Sequence, residues 1–150
     1  MPSDLERGDG KSCLFETHRG IVYPGDGDVM GHLPTFRYLQ MFEAASYHLL
    51  AQLGFDFAAA GKVGFADRRH EIDYLVEVRA GSLLLIRSGV LAVGRSSLRT
   101  VHVMTDVART KEHARLEMLS ICFDLQIRKS MPLPQDLRHR AELLQSEAQA

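Results

Sequence analysis

The chain has 150 residues, 45% of them hydrophobic and 25% charged, which is one domain's worth of ordinary globular protein. Its 18 basic and 19 acidic side chains leave a net charge of −1, against the basic excess of a dedicated nucleic-acid binder. Two cysteines, Cys13 and Cys122, are too few for a disulfide framework, and apolar runs such as Leu83–Ile86 are too short to cross a bilayer. The polar start MPSDLERGDGKS is not a secretory signal, so the composition reads as a cytoplasmic domain.

Residues 1–12 read as a disordered arm. Cys13–Tyr23 alternates loosely and reads as a strand. Pro24–Asp28 is a loop, because Pro, Gly and Asp are strong turn formers. From Thr35 to Leu53, Phe36, Leu39, Phe42, Ser46, Leu49, Leu50 and Leu53 fall three or four apart. That spacing predicts a helix, with Pro34 at its first position and Gly54 at its left-handed stop. Only Arg37 and Glu43 carry charge there, so the helix is buried on most sides.

The rest reads as sheet. A strand lies within Lys62–Val78, a second runs Ser82–Val93, and a third runs Ser97–Val107 after the turn Gly94-Arg95-Ser96. Arg115–Arg128 alternates strongly, with Leu119, Ile121, Phe123, Leu125 and Ile127 on one face. Met131-Pro132-Leu133-Pro134 ends the sheet, and Asp136 caps a short terminal helix. Short turns favour antiparallel neighbours, so the economical solution is an α+β fold: five antiparallel strands wrapped round one long helix. Residues 13–140 form the domain and 141–150 a tail.

The stretch YPGDGDVMGHLPTFRYLQMFEAAS, residues 23–46, carries the chemistry. It sets Asp26 and Asp28 on a glycine-rich loop just before a helix N-terminus, whose free N–H groups attract carboxylates, phosphates or a developing oxyanion. An acid beside an oxyanion binder is the minimum kit for acyl transfer; the same spacing also suits a plain turn with a capping Asp. The stretch resembles the signature of the hotdog-fold acyl-CoA thioesterases of the 4-hydroxybenzoyl-CoA thioesterase type. Tyr23, Asp26, Asp28, Gly31, Tyr38, Phe42, Glu43, Ala44 and Ala45 match in register, without gaps. The helix after the first strand, the turn Gly94–Ser97 and the exit Phe123–Pro134 also resemble that family, and the likeness covers roughly residues 14–140.

The resemblance implies a hotdog fold and hydrolysis of an acyl-CoA thioester. Asp28 would attack the carbonyl or activate a water, and the backbone N–H near Thr35 would polarise the carbonyl oxygen. It implies a homodimer or homotetramer with sites between subunits, no cofactor because coenzyme A is part of the substrate, and small polar acyl groups such as those of carnitine breakdown. His32 would orient the carboxylate or contact substrate; its plainer role is a helix-entry His bonded to backbone. Tyr38 is pocket wall or core. Glu43 reaches the neighbouring subunit's acyl pocket or bonds between paired helices. Arg95, Ser96 and Ser97 at the turn, with Arg128 and Lys129 at the strand exit, are the contacts implied for the phosphates of coenzyme A. One departure stands out: many relatives carry Asn-Asn where this chain has Pro34-Thr35.

His70 and Glu71 read as a solvated face or a pocket rim. His102 and His113 lack metal-ligand spacing, so no metal is expected, and neither cysteine has an activating partner. No nucleic acid or membrane partner is expected. Two other readings remain: a hotdog dehydratase or hydratase, and a non-catalytic module that binds acyl-CoA.

Overall fold

The alternating stretches pair into one antiparallel sheet, described over residues 14–149 by the computed structural model. The expected arm over residues 1–12 lies outside these residues. The chain runs β1 (Phe15–Ile21), α1 (Thr35–Gln52), β2 (Val63–Tyr74), β3 (Leu83–Val93), β4 (Ser97–Asp106), β5 (Glu112–Asp124), β6 (Lys129–Ser130) and α2 (Gln135–Gln149). The sheet order is β1-β3-β4-β5-β2, with β6 paired to β5, which makes six strands where the sequence predicts five. The extra strand has a local cause. Asp124 Oδ1 accepts the N–H groups of Gln126 and Ile127, and Arg128 takes φ 60. The chain therefore reverses after Asp124, and Lys129–Ser130 pairs back on Phe123–Asp124.

Helix α1 lies across β1, β3 and β4. Its buried side chains are Tyr38, Met41, Phe42, Ala45, Leu49 and Leu50. The stripe read from sequence is correct at Phe42, Leu49 and Leu50 but not at its start, where Phe36 is exposed and Leu39 and Ser46 are half-buried, because the face turned to the sheet is that of Tyr38, Met41 and Ala45. Phe42 meets Leu84, Ile86, Met104 and Leu116 in one cluster, and burial of a side chain this size contributes about 1.5–3 kcal/mol. Pro34 stands one place earlier than expected: it caps the helix, and Thr35 is the first helical residue. Gly54 ends the chain's helical path at φ +83, with the Arg140 guanidinium 3.1 Å from where a Cβ would stand. A side chain there would strain the backbone and displace the Arg140 guanidinium.

On β5 the inward face is the mixed one. Ala114, Leu116, Met118, Ser120, Cys122 and Asp124 are buried, while Leu119, Ile121 and Phe123 stay half-exposed on the outer face. Helix α2 continues to Gln149, and Ala141, assigned to the tail from sequence, is fully buried beside Leu53 and Leu137. Among the described residues no helix is long and apolar enough to cross a membrane.

Beneath Phe42 runs a buried polar chain. Ser88 Oγ lies 2.6 Å from His102 Nδ1, Thr100 Oγ1 2.9 Å from His102 Nε2, and Thr17 Oγ1 2.7 Å from Ser88 Oγ. Both ring nitrogens are satisfied, which offsets the cost of burying the imidazole. Burial first, and then the charge of His70, push His102 down to about 3. The unfolded chain binds this proton near 6.5, so stability is complete above 6.5 and drains as pH falls toward 3. At 1.36 kcal/mol per unit the full loss is about 5 kcal/mol. Urea melts between pH 7 and 4 will show this decline, with a smaller share from His18, which burial also lowers. His102→Met will flatten the slope while costing about 1–3 kcal/mol at pH 7 from the hydroxyls left unpaired. An unchanged slope in His102→Met would contradict the assignment.

Candidate active site

Asp28 is held by its own loop. Its backbone N–H donates to the His32 carbonyl at 2.8 Å, and its carbonyl accepts from the Gly31 N–H at 3.0 Å. Gly31 takes φ +79, a turn that side chains resist, so the loop closes at a glycine. The Asp28 Oδ1 accepts two backbone N–H groups, from Met30 at 2.8 Å and His32 at 3.0 Å. Among the described residues no donor binds Oδ2, which leaves that oxygen for a substrate or a water. The His32 backbone bond, then the Met30 bond and the charge of the His32 ring, outweigh desolvation and hold Asp28 below its ordinary 3.8. Asp28 is therefore ionised at every physiological pH. The preceding turn is shaped by Asp26, whose Oδ2 accepts the Tyr23 N–H at 2.9 Å and lies 3.5 Å from Arg37 Nη2.

Asp28, His32, Thr35 and Tyr38, dispersed over a loop and a helix start, line one cavity of about 290 Å³. Thr35 opens α1, so its N–H has no intrahelical acceptor and sits at the positive end of the helix. The His32 backbone, not its ring, fixes Asp28; the ring nitrogen Nε2 lies 2.7 Å from Glu77 Oε1. Tyr38 is buried, and its ring meets Tyr74 edge to face, with centroids 5.0 Å apart.

The far wall is Tyr74, Leu75, Val76, Glu77 and Val78, none of which sequence reading singled out. That reading carries the strand through Val78, but β2 ends at Tyr74. Leu75 and Val76 both donate to the His113 carbonyl, which turns the chain across the helix start. The adjacent apolar pair Leu75-Val76 breaks the alternation and is the signal for that turn.

The other expected site residues lie elsewhere. Glu43 lines a second, smaller cavity of about 40 Å³ with Asp67 and Ser120, and accepts the Tyr47 hydroxyl at 3.2 Å. His70 Nε2 lies 3.2 Å from Asp67 Oδ2 on β2, and Ser120 Oγ donates to Asp67 Oδ1 at 2.8 Å. Arg95–Ser97 join β3 to β4, where Ser97 pairs with Ile121 and the Ser96 carbonyl accepts from Cys122. Arg128 lies over the Phe123 ring at 5.3 Å, and Lys129 is exposed on β6. These basic residues sit near the end of β5, whereas the Asp28 cavity abuts its start at His113. Eight residues of strand, from His113 to Ile121, separate the two regions by about 25 Å within one chain. Among the described residues no three His, Cys, Asp or Glu side chains group to hold a metal.

Comparison with known proteins adds a family. The model of the thioesterase-like superfamily matches residues 22–141. The chain is 29% identical over 136 residues to an L-carnitine dehydrogenase/betainyl-CoA thioesterase from Agrobacterium fabrum, covering 87% of this chain. It spans only 27% of that relative's length. A thioesterase from Thermus thermophilus, solved with coenzyme A and Zn, aligns with TM-score 0.74 and 25% identity over 91% of this chain and 97% of that one. A 1,4-dihydroxy-2-naphthoyl-CoA thioesterase from Synechocystis aligns with TM-score 0.73 and 21% identity over 85% of this chain and 95% of that one.

Proposed function

The chain belongs to the thioesterase-like superfamily and adopts its hotdog fold, and from that premise we propose that it hydrolyses an acyl-CoA thioester at the Asp28 cavity. The observation that carries the proposal is that Asp28, whose carboxyl is held below its ordinary value, and Thr35, the first residue of α1, line one cavity. The Thr35 N–H receives the thioester carbonyl oxygen and stabilises the negative charge that develops there. The free Asp28 Oδ2 either attacks the carbonyl carbon or takes a proton from an attacking water. By either route the carbon–sulfur bond breaks, the thiolate leaves and takes up a proton, and one water is consumed to give the free acid. Thiolate is a good leaving group, so no strong general acid is needed. The Pro34-Thr35 departure leaves this machinery intact, because the donor is backbone and Pro34 caps the helix with extended geometry, φ −71 and ψ 152. A cavity of about 290 Å³ is in keeping with a small acyl group. The betainyl-CoA thioesterase relative supports the same size class.

The working unit in this proposal is a homo-oligomer. The support is that β2, an edge strand of 12 residues, has one side unpaired among the described residues, and that α1 covers β1, β3 and β4. A second copy on that edge also brings its own Arg95, Ser96, Ser97, Arg128 and Lys129 toward the phosphates of a coenzyme A whose thioester lies at Asp28.

The test is to identify products. Incubation with short acyl-CoA thioesters, followed by mass spectrometry, is expected to yield free acid and free coenzyme A. Thioesters bound but returned intact would instead mark a binding module, and a product differing from substrate by one water with its thioester intact would mark a hydratase or dehydratase.

A further inference from the structure

Away from the Asp28 cavity, the side of the sheet turned from α1 carries an arginine cluster that its own acids do not neutralise. On β3, Leu84 and Ile86 join the core with Phe42, so Leu85 and Arg87 face the other way. Arg87 stands beside Glu16 of β1 and Val103 of β4, and Val103 stands beside Arg115 of β5. The two carboxylates in this row are already taken. Glu16 gives both oxygens to Arg19, and Glu112 gives both to Arg115, at 2.7 and 3.2 Å. Arg87 is left over: its Nε is buried with no hydrogen-bond partner, and it forms no ion pair among the described residues. Arg109, in the turn after β4, belongs to the same cluster. Its charge is felt at both Glu16 and Arg87, and it too forms no ion pair among the described residues.

A buried charged donor without an acceptor is costly, and a second guanidinium nearby adds repulsion. Burial, then the Arg109 charge, push Arg87 below its ordinary range, against a pull from Glu112. An anion between the two guanidiniums relieves both costs. Forked N–H donors suit the oxygens of phosphate and carboxylate. Two cations left over from pairing favour a doubly charged anion over a carboxylate. We infer that Arg87 and Arg109 bind a phosphomonoester dianion on the face of the sheet opposite α1. That group has two sources. One is a separate small phosphate compound. The other is the 3′-phosphate of a coenzyme A, with its diphosphate left to the second copy. A surface path for it exists: a groove of about 470 Å³ shares Val76 and Glu77 with the Asp28 cavity and reaches Asp106 and Lys111, which bracket the Arg109 turn. The site stands on these residues alone, whichever reaction the Asp28 cavity performs.

Calorimetry at about pH 8, where a phosphate is doubly charged, compares inorganic phosphate with acetate on the wild-type protein. Phosphate is expected to bind about tenfold tighter than acetate or more, and to weaken about tenfold in Arg87→Met and in Arg109→Asn. Asparagine tolerates the left-handed φ at position 109, so that variant keeps its turn and tests the site even where Arg87→Met does not fold. Arg99→Met is the control. Arg99 lies on the same face but is paired with Glu117 at 3.0 Å, and its loss should leave phosphate binding as in wild type. Coenzyme A and 3′-dephospho-coenzyme A then separate the sources. A loss of about tenfold in Arg109→Asn for coenzyme A alone assigns the site to that molecule's 3′-phosphate. Unchanged affinity for both, with inorganic phosphate still weakened, assigns it to a separate phosphate compound. The inference is overturned if wild type binds no phosphate or binds it no tighter than acetate. It is also overturned if Arg109→Asn binds phosphate as wild type does, if Arg99→Met loses as much as Arg109→Asn, or if both forms of coenzyme A weaken equally.

Discussion

Asp28→Asn is expected to lower kcat/KM for thioester hydrolysis by about 10²–10⁴-fold and to leave the affinity for coenzyme A unchanged. The substitution is conservative in shape. Asparagine keeps a carbonyl oxygen to accept the Met30 and His32 N–H groups, so the loop stays closed around Gly31. What it loses is the negative charge and the basicity of the second oxygen, which becomes an amide nitrogen able only to donate. An amide can neither displace a thiolate nor take a proton from water. Free-thiol release measures the rate, and calorimetry with coenzyme A measures the binding. Activity within a few fold of wild type would remove Asp28 from the chemistry.

Thr35→Pro is the second large effect, expected at about 10²–10³-fold in kcat, the usual cost of one oxyanion donor. Proline at the first helical position removes an N–H that no intrahelical carbonyl uses, and its fixed φ suits a helix start. The residue before it must be extended, which Pro34 already is at ψ 152. The helix therefore survives, and the Arg37 N–H still donates to the Pro34 carbonyl at 3.0 Å. Thr35→Ala keeps the N–H and is the control: it should retain most of the rate. Circular dichroism checks that both variants keep α1. Equal rates in Thr35→Pro and Thr35→Ala would contradict the oxyanion role.

Much of this site was legible because its catalytic half is local. Asp28, Gly31, His32, Thr35 and Tyr38 lie within eleven consecutive residues, where loop chemistry and helical spacing can be read directly. The opposing wall was hidden. Tyr74 and Glu77 reach the cavity only because the His113 carbonyl captures Leu75 and Val76, a contact between segments far apart in sequence. Alternation showed that β5 has two faces but not which one meets α1: hydrophobicity points to Leu119, Ile121 and Phe123, yet Phe42 clusters with Leu116 and Met118, and Leu50 with Cys122, on the opposite face. The His102 chain was illegible for the same reason. Its polar partners sit on β1, β3 and β4 and meet only when the strands pair. Glu43 illustrates the reverse case, a residue marked by its motif position that faces a different cavity in the single chain.

If an ionised Asp28 performs the hydrolysis, the pH dependence of kcat/KM shows it most directly. Free-thiol release is read within seconds of a pH jump, before the His102-linked loss of stability develops. Thiol release is expected to hold steady from neutrality down through 6.5 and to fall only below 3.8, because the loop N–H groups hold the Asp28 carboxylate below that value. A rate that falls by half near 6.5 would hand the chemistry to a histidine, and an absence of thiol release at every pH would contradict the account as a whole.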